Sequence, residues 1–162
     1  MSENKVDLNK YYDKVLGFIK ELKPEIIHEN KKDYQIVIPL TYKFSNGEKI
    51  VLNVDTRLSD KWIETKCLLL INEAIPNNPE IEHLLHKKLL QANFRYAEVT
   101  YSLDNEGNVY AEADMPLETD WLNFKSEYIS IIFAIDLLFN KIIPEIPKEI
   151  KKIDTYNKKL YT

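Results

Sequence analysis

Cysteine, glycine and arginine are all scarce in this 162-residue chain, and each scarcity excludes a class of function. A single cysteine, Cys67, cannot close an intramolecular disulfide, and the opening "MSENKVDLNK" has no apolar segment of the secretory kind. A reducing cytoplasm is the expected compartment. Three glycines serve the whole chain, so the Gly-rich loop that cradles a phosphate is missing. The arginines are Arg57 and Arg95 alone, and 22 basic residues stand against 26 acidic ones, a net charge of -4. Without a cationic excess to neutralise a phosphate backbone, nucleic acid is not an expected partner. Long apolar runs are lacking too. The most apolar window, residues 128–143, is shorter than the ~20 residues a bilayer needs and carries Asp136, Asn140 and Lys141. It reads as a core helix, with no membrane partner.

What is present suits one globular unit. Hydrophobic residues make up 44% and charged residues 30%, well outside the disordered class. The length suffices to bury roughly two thirds of the unfolded surface. Leu8, Tyr11, Tyr12, Val15, Ile19 and Leu22 predict a helix over 7–22, stopped by Pro24. Tyr34, Ile36, Ile38 and Leu40 alternate as a half-buried strand does, "SNGE" turns the chain, and Ile50, Leu52 and Val54 resume the alternation. Asn46-Gly47 suits a type I′ turn. A third strand follows over 61–71. Asn78 as cap and Pro79 as first helical residue predict a second helix over 79–92, with Ile81, Leu84, Leu85 and Leu89 inward. Val99, Tyr101 and Leu103, then Val109, Ala111 and Ala113, form the arms of a second hairpin joined by "DNEG". Thr119 or Asp120 caps a third helix that is expected to stop at Pro144.

The predicted fold class is α+β: an antiparallel sheet of about five strands with helices packed on it, in the order α-β-β-β-α-β-β-α plus a C-terminal amphipathic helix. Residues 1–143 are expected to form the single domain and residues 144–162 a tail that docks as a short helix. The stretch "LLHKKLLQANFRYAEVTYSLDNEGNVYAEADMP" (84–116), with this element order, resembles the type III secretion chaperone-like superfamily, which includes the YbjN-type domains. The matching residues are Leu89, Leu90, Asn93, Leu103, Asp104, Gly107, Val109, Ala111, Asp114 and Pro116. The resemblance covers the second half of the chain by residue pattern and the first half by element order. It implies a non-enzymatic α+β fold, frequent homodimers and polypeptide partners, with no catalytic residue to carry over. The tail "PEIPKEIKKIDTYNKKLYT" departs from secretion chaperones.

Candidate chemistry is thin. His83 and His86 are three apart on the second helix, spaced to share a metal, but no Cys or HExxH pattern accompanies them. A solvated polar face is expected there, and no metal. Cys67 alternates with Ile63, Thr65 and Leu69, as a buried small hydrophobe would. Glu112 and Asp114 share a strand face and are expected to keep it soluble rather than to act as an acid/base pair. No catalytic residue and no cofactor is expected.

The third helix is more informative. At 100° per residue, Asn123, Glu127, Ser130, Ala134 and Lys141 fall on one polar stripe, and Asp136 and Asn140 project on the other side among Ile129, Ile132 and Phe133. A helix on a sheet needs one buried stripe, so the surplus calls for cover by the tail, the first helix or a second subunit. Asp136 is expected to pair with a Lys or a Tyr hydroxyl of its own chain. The function this supports is a non-enzymatic chaperone-like or regulatory interaction domain in the cytoplasm, binding a polypeptide partner and forming a homodimer. Its expected interaction surface is Ile129, Ile132, Phe133, Asp136 and Asn140. The competing class is a small-ligand binder or enzyme with a pocket between sheet and helices, using Asp136 or His86.

Overall fold

The computed structural model describes residues 6–97 and 99–160. The elements run α1 (Leu8–Glu21), β1 (His28–Asn30), β2 (Gln35–Lys43), β3 (Lys49–Leu58), β4 (Trp62–Leu70), α2 (Pro79–Arg95), β5 (Tyr101–Leu103), β6 (Val109–Pro116), α3 (Trp121–Leu137) and α4 (Ile143–Leu160). Six antiparallel strands pair in the order β1-β2-β3-β4-β6-β5. The α+β class and the C-terminal helix are as expected. The added strand, β1, has three exposed residues and no alternation to read; it pairs His28 with Val37 at the sheet edge.

One face of the sheet is covered and one is open. Ile36, Ile38, Val54, Ile63, Cys67, Val109 and Ala111 point inward and are buried, whereas Val51, Trp62 and Leu68 on the other face stay exposed. Tyr12, Val15 and Ile19 of α1, Leu84, Leu85 and Leu89 of α2, and Phe124, Ile131 and Leu138 complete the core. In the middle of the sheet Thr56 sits opposite Thr65. Their hydroxyls bond each other at 3.2 Å, so two polar groups are buried without an unmet partner.

Local chemistry explains the element ends. Asn78 Oδ1 accepts from the amides of Glu80 and Ile81, and Asp120, not Thr119, caps α3 by accepting from Asn123 N at 2.8 Å. Asn93 bonds both backbone groups of Tyr101 (2.8 and 2.9 Å), supplying the outer partner that edge strand β5 would otherwise lack. The two hairpins share one turn, and it is not type I′. Phe44 O accepts from Gly47 N, Asp104 O accepts from Gly107 N, and only the glycines have positive φ (89° and 83°). That is a type I turn closed by a left-handed residue, so Asn46 keeps negative φ and spends its side chain on Glu48 N.

The third helix does not end at Pro144. A wide π turn over Leu138–Ile142, with Ile143 N donating to Leu138 O, shifts the backbone register just ahead of it. Pro144 then falls in the first turn of α4, where a missing N–H is tolerated, and the helix continues to Leu160. Lys88 of α2 pins that helix by bonding Glu145 at 2.8 Å and Glu149 at 2.7 Å, one turn apart. The paired carboxylates hold the Lys88 ammonium above its ordinary pKa, and Lys88 holds the Glu145 carboxyl below its own.

Two predictions follow from this geometry. Gly107→Ala forces a side chain into a left-handed conformation and within 3.2 Å of Asn72, lowering stability by roughly 1–3 kcal/mol. Gly17→Ala, inside α1 with nothing within 4 Å, raises it by roughly 0.5–1 kcal/mol; urea midpoints of the two variants should move in opposite directions. The pin contributes above the ordinary Glu range and below the ordinary Lys range. It weakens as pH falls through Glu145's depressed pKa and as pH rises through Lys88's raised one. Lys88→Met should flatten the acid limb of the stability profile that Glu145 contributes.

Candidate functional site: an apolar groove between α3 and the sheet

The roll of α3 about its axis decides which of its many apolar residues are left over. Ser130 and Ala134, expected on a solvated stripe, are instead buried at 5% and 1% exposure. The helix packs mainly on β6, whose inward residues include Ala111 and Ala113, and small side chains on both partners permit a close approach. The Tyr101 hydroxyl donates to Ala134 O at 2.6 Å within this contact, and Ser130 Oγ turns back to Glu127 O. With the small residues inward, Ile129, Ile132 and Phe133 are left 48%, 44% and 42% exposed.

These three face a second apolar wall. Leu40 and Tyr42 of β2 and Leu52 of β3 lie across from them, because α3 packs mainly on β6 and β4 rather than on the β2–β3 hairpin. The groove between the walls has a volume of about 520 Å³. Tyr42, Phe44 and Phe139 close one end as an aromatic trio with ring centroids 5.1–5.4 Å apart. Phe133 is steadied by an edge contact to Tyr96 at 5.6 Å. Lys141 Nζ donates to the Tyr96 hydroxyl and lowers its pKa.

Asp136 sits on the groove rim, where its Oδ1 accepts from Asn140 Nδ2 at 2.6 Å and from the Tyr42 hydroxyl at 3.5 Å. Burial, helped by Asp136, pushes the Tyr42 phenol up. Of the five residues expected at an interaction surface, Ile129, Ile132, Phe133 and Asp136 line the groove, and Asn140 supports Asp136 from outside it. The opposite wall was not foreseen, since Leu40 and Leu52 alternate like any core residue.

The remaining candidates are scattered. Cys67 is buried, and burial pushes its thiol up to about 12, the opposite of an activated nucleophile. His83 and His86 lie on the outer side of α2 with Leu90 and Phe94, which are 69% and 94% exposed. Among the described residues no three His, Cys, Asp or Glu side chains are grouped to hold a metal. Glu112 is 3.3 Å from Lys66, and Asp114 is raised by desolvation and by Glu112 and Glu64, with Lys66 opposing.

No family model matches the chain, and no curated protein matches it by sequence. Its structure is similar to a chain in the solved structure of the HopA1-SchA chaperone-effector complex, with a TM-score of 0.51 and 16% identity. The match covers 80% of this chain and 94% of that chain. The likeness is one of fold.

The groove wall and the core are neighbours on one helix, which makes them separable. Ile131→Ala, at 1% exposure, should cost about 2–5 kcal/mol by leaving a cavity. Ile132→Ala, one residue on and in the groove, should cost less than about 1 kcal/mol. Urea unfolding of the pair checks the roll of α3.

Proposed function

We propose that this protein binds a polypeptide in the α3 groove without performing chemistry on it, and that it acts as a homodimer in the cytoplasm. The observation that carries the reading is an apolar trough in which Ile129, Ile132 and Phe133 face Leu40 and Leu52. An apolar trough with one carboxylate on its rim suits a segment with spaced apolar side chains and a basic residue beside them. The likeness to a chain of a chaperone-effector complex agrees with a polypeptide partner, as does the resemblance of residues 84–116 to YbjN-type domains. No helix among the described residues is long and apolar enough to cross a membrane. A small-ligand or catalytic site would gather several convergent polar groups; here the groove offers Asp136, already engaged by Tyr42 and Asn140.

Selection of a displayed random-peptide library on the intact protein tests this. Enriched peptides should carry apolar residues at helical or alternating spacing and should bind Phe133→Asp at least about tenfold more weakly, a loss near 1.4 kcal/mol. Circular dichroism should show that variant folded. Peptides that bind Phe133→Asp as well as the parent would refute the groove as the binding site.

A further inference from the structure

The outer side of α2 carries apolar surface that its own fold does not use. Leu84, Leu85, Leu89 and Ala92 bury the inner side. Asn78 caps the start of the helix, Lys88 ties its middle to Glu145 and Glu149, and Asn93 bonds its end to Tyr101, so α2 is held as a rigid platform. On the outer side Leu90 and Phe94 are 69% and 94% exposed, and Phe94 is the most exposed large apolar side chain among the described residues. A shallow hollow of about 670 Å³ lies against them, and α2 residues alone, from His83 to Arg95, line it. Among the described residues no other element covers this face.

Spacing along the face is regular. Glu80, His83, Lys87, Leu90 and Phe94 follow one another at steps of three, four, three and four residues, the stripe along which two helices pair. The charges on it choose the mate. A parallel pair with a second copy would set Glu80 on Glu80, Lys87 on Lys87 and Arg95 on Arg95, three like-charge contacts. An antiparallel pair with its two-fold axis between Lys87 and Leu90 avoids all three. It sets Phe94 against His83 of the other copy, and Leu90 against the aliphatic stem of Lys87, whose ammonium still reaches water. Glu80 and Arg95, both exposed, fall on the same flank of the stripe, about 60° apart around the helix. The antiparallel pair therefore brings Arg95 of each copy alongside Glu80 of the other, so the stripe is complementary in charge to its own reverse.

We infer that two copies of this chain associate through α2, paired antiparallel about an axis between Lys87 and Leu90, with Phe94 as the central apolar anchor and Glu80–Arg95 as the ion pair that fixes direction and register. One helix meeting its own copy across a two-fold axis is an isologous contact, which closes at two copies. The inference rests on the self-association part of the proposed function and is independent of the groove, which lies on α3.

Sedimentation velocity of the intact protein over a concentration series tests the contact. Phe94→Lys should raise the dimer dissociation constant at least about tenfold, with circular dichroism showing the fold unchanged, because the parent side chain buries almost nothing in its own chain. Phe133→Asp, in the groove, should leave the dimer as it was. Glu80→Arg and Arg95→Glu should each weaken the dimer roughly fivefold at low salt. The double variant, in which the pair re-forms with its signs exchanged, should return to the parent constant; no recovery would overturn the register. An equal mixture of His83→Cys and Phe94→Cys chains should oxidise to the mixed disulfide in preference to either like pair, and a preference for like pairs would overturn the antiparallel arrangement. A parent dimer indifferent to Phe94→Lys and to both charge reversals refutes α2 as the interface while leaving self-association standing. A parent protein that is monomeric throughout refutes both and gives the stripe to a different partner, and the peptide selection on the groove is decided separately.

Discussion

A helix can lie close on a sheet only where the side chains between them are small, and the contact of α3 with β6 meets that condition through Ser130, Ala134, Ala111 and Ala113. The buried Tyr101 hydroxyl locks it by donating to Ala134 O. Much else depends on this contact. It sets the roll of α3, and the roll sends Ile131 and Ile135 into the core and Ile129, Ile132 and Phe133 outward. It also fixes α3 over β6 and β4, so that a groove is left between the helix and the β2–β3 hairpin. The apolar surface there is the remainder left when one stripe of an all-round apolar helix has been satisfied.

The same one-sided layering separates the molecule's charges. With every helix on one face of the sheet, the opposite face is free to hold carboxylates and cations in cross-strand rows. The π turn ahead of Pro144 matters here because it lets a helix continue where a proline would otherwise have ended it. Lys88 of α2 then ties that helix down through Glu145 and Glu149.

Much of the framework was readable because it rests on local rules. Alternation in β2, β3, β4 and β6, the caps at Asn78 and Asp120, and the glycines of both hairpins depend on residues close in sequence. Where reading failed, the competing effect was also specific. β1 has three exposed residues and no period; Asn46 lost its positive φ because a lone left-handed glycine suffices for the longer turn; and Pro144 was accommodated by a shift in helical register. On α3 the wheel placed Ser130 and Ala134 with the polar residues, yet in a close contact their small size outweighed their modest hydrophobicity.

The α+β class, the order of the elements other than β1, and the surplus of apolar residues on the third helix follow from the amino-acid sequence alone. Tertiary structure alone decided which part of that surplus stays open, that Leu40 and Leu52 stand across from it, and that Asp136 is tied to Tyr42 94 residues away. The reason is physical. Periodicity records what each segment needs to bury, whereas the covering of a given side chain depends on how closely distant segments can approach, and that is set by side-chain volumes brought together only by the fold.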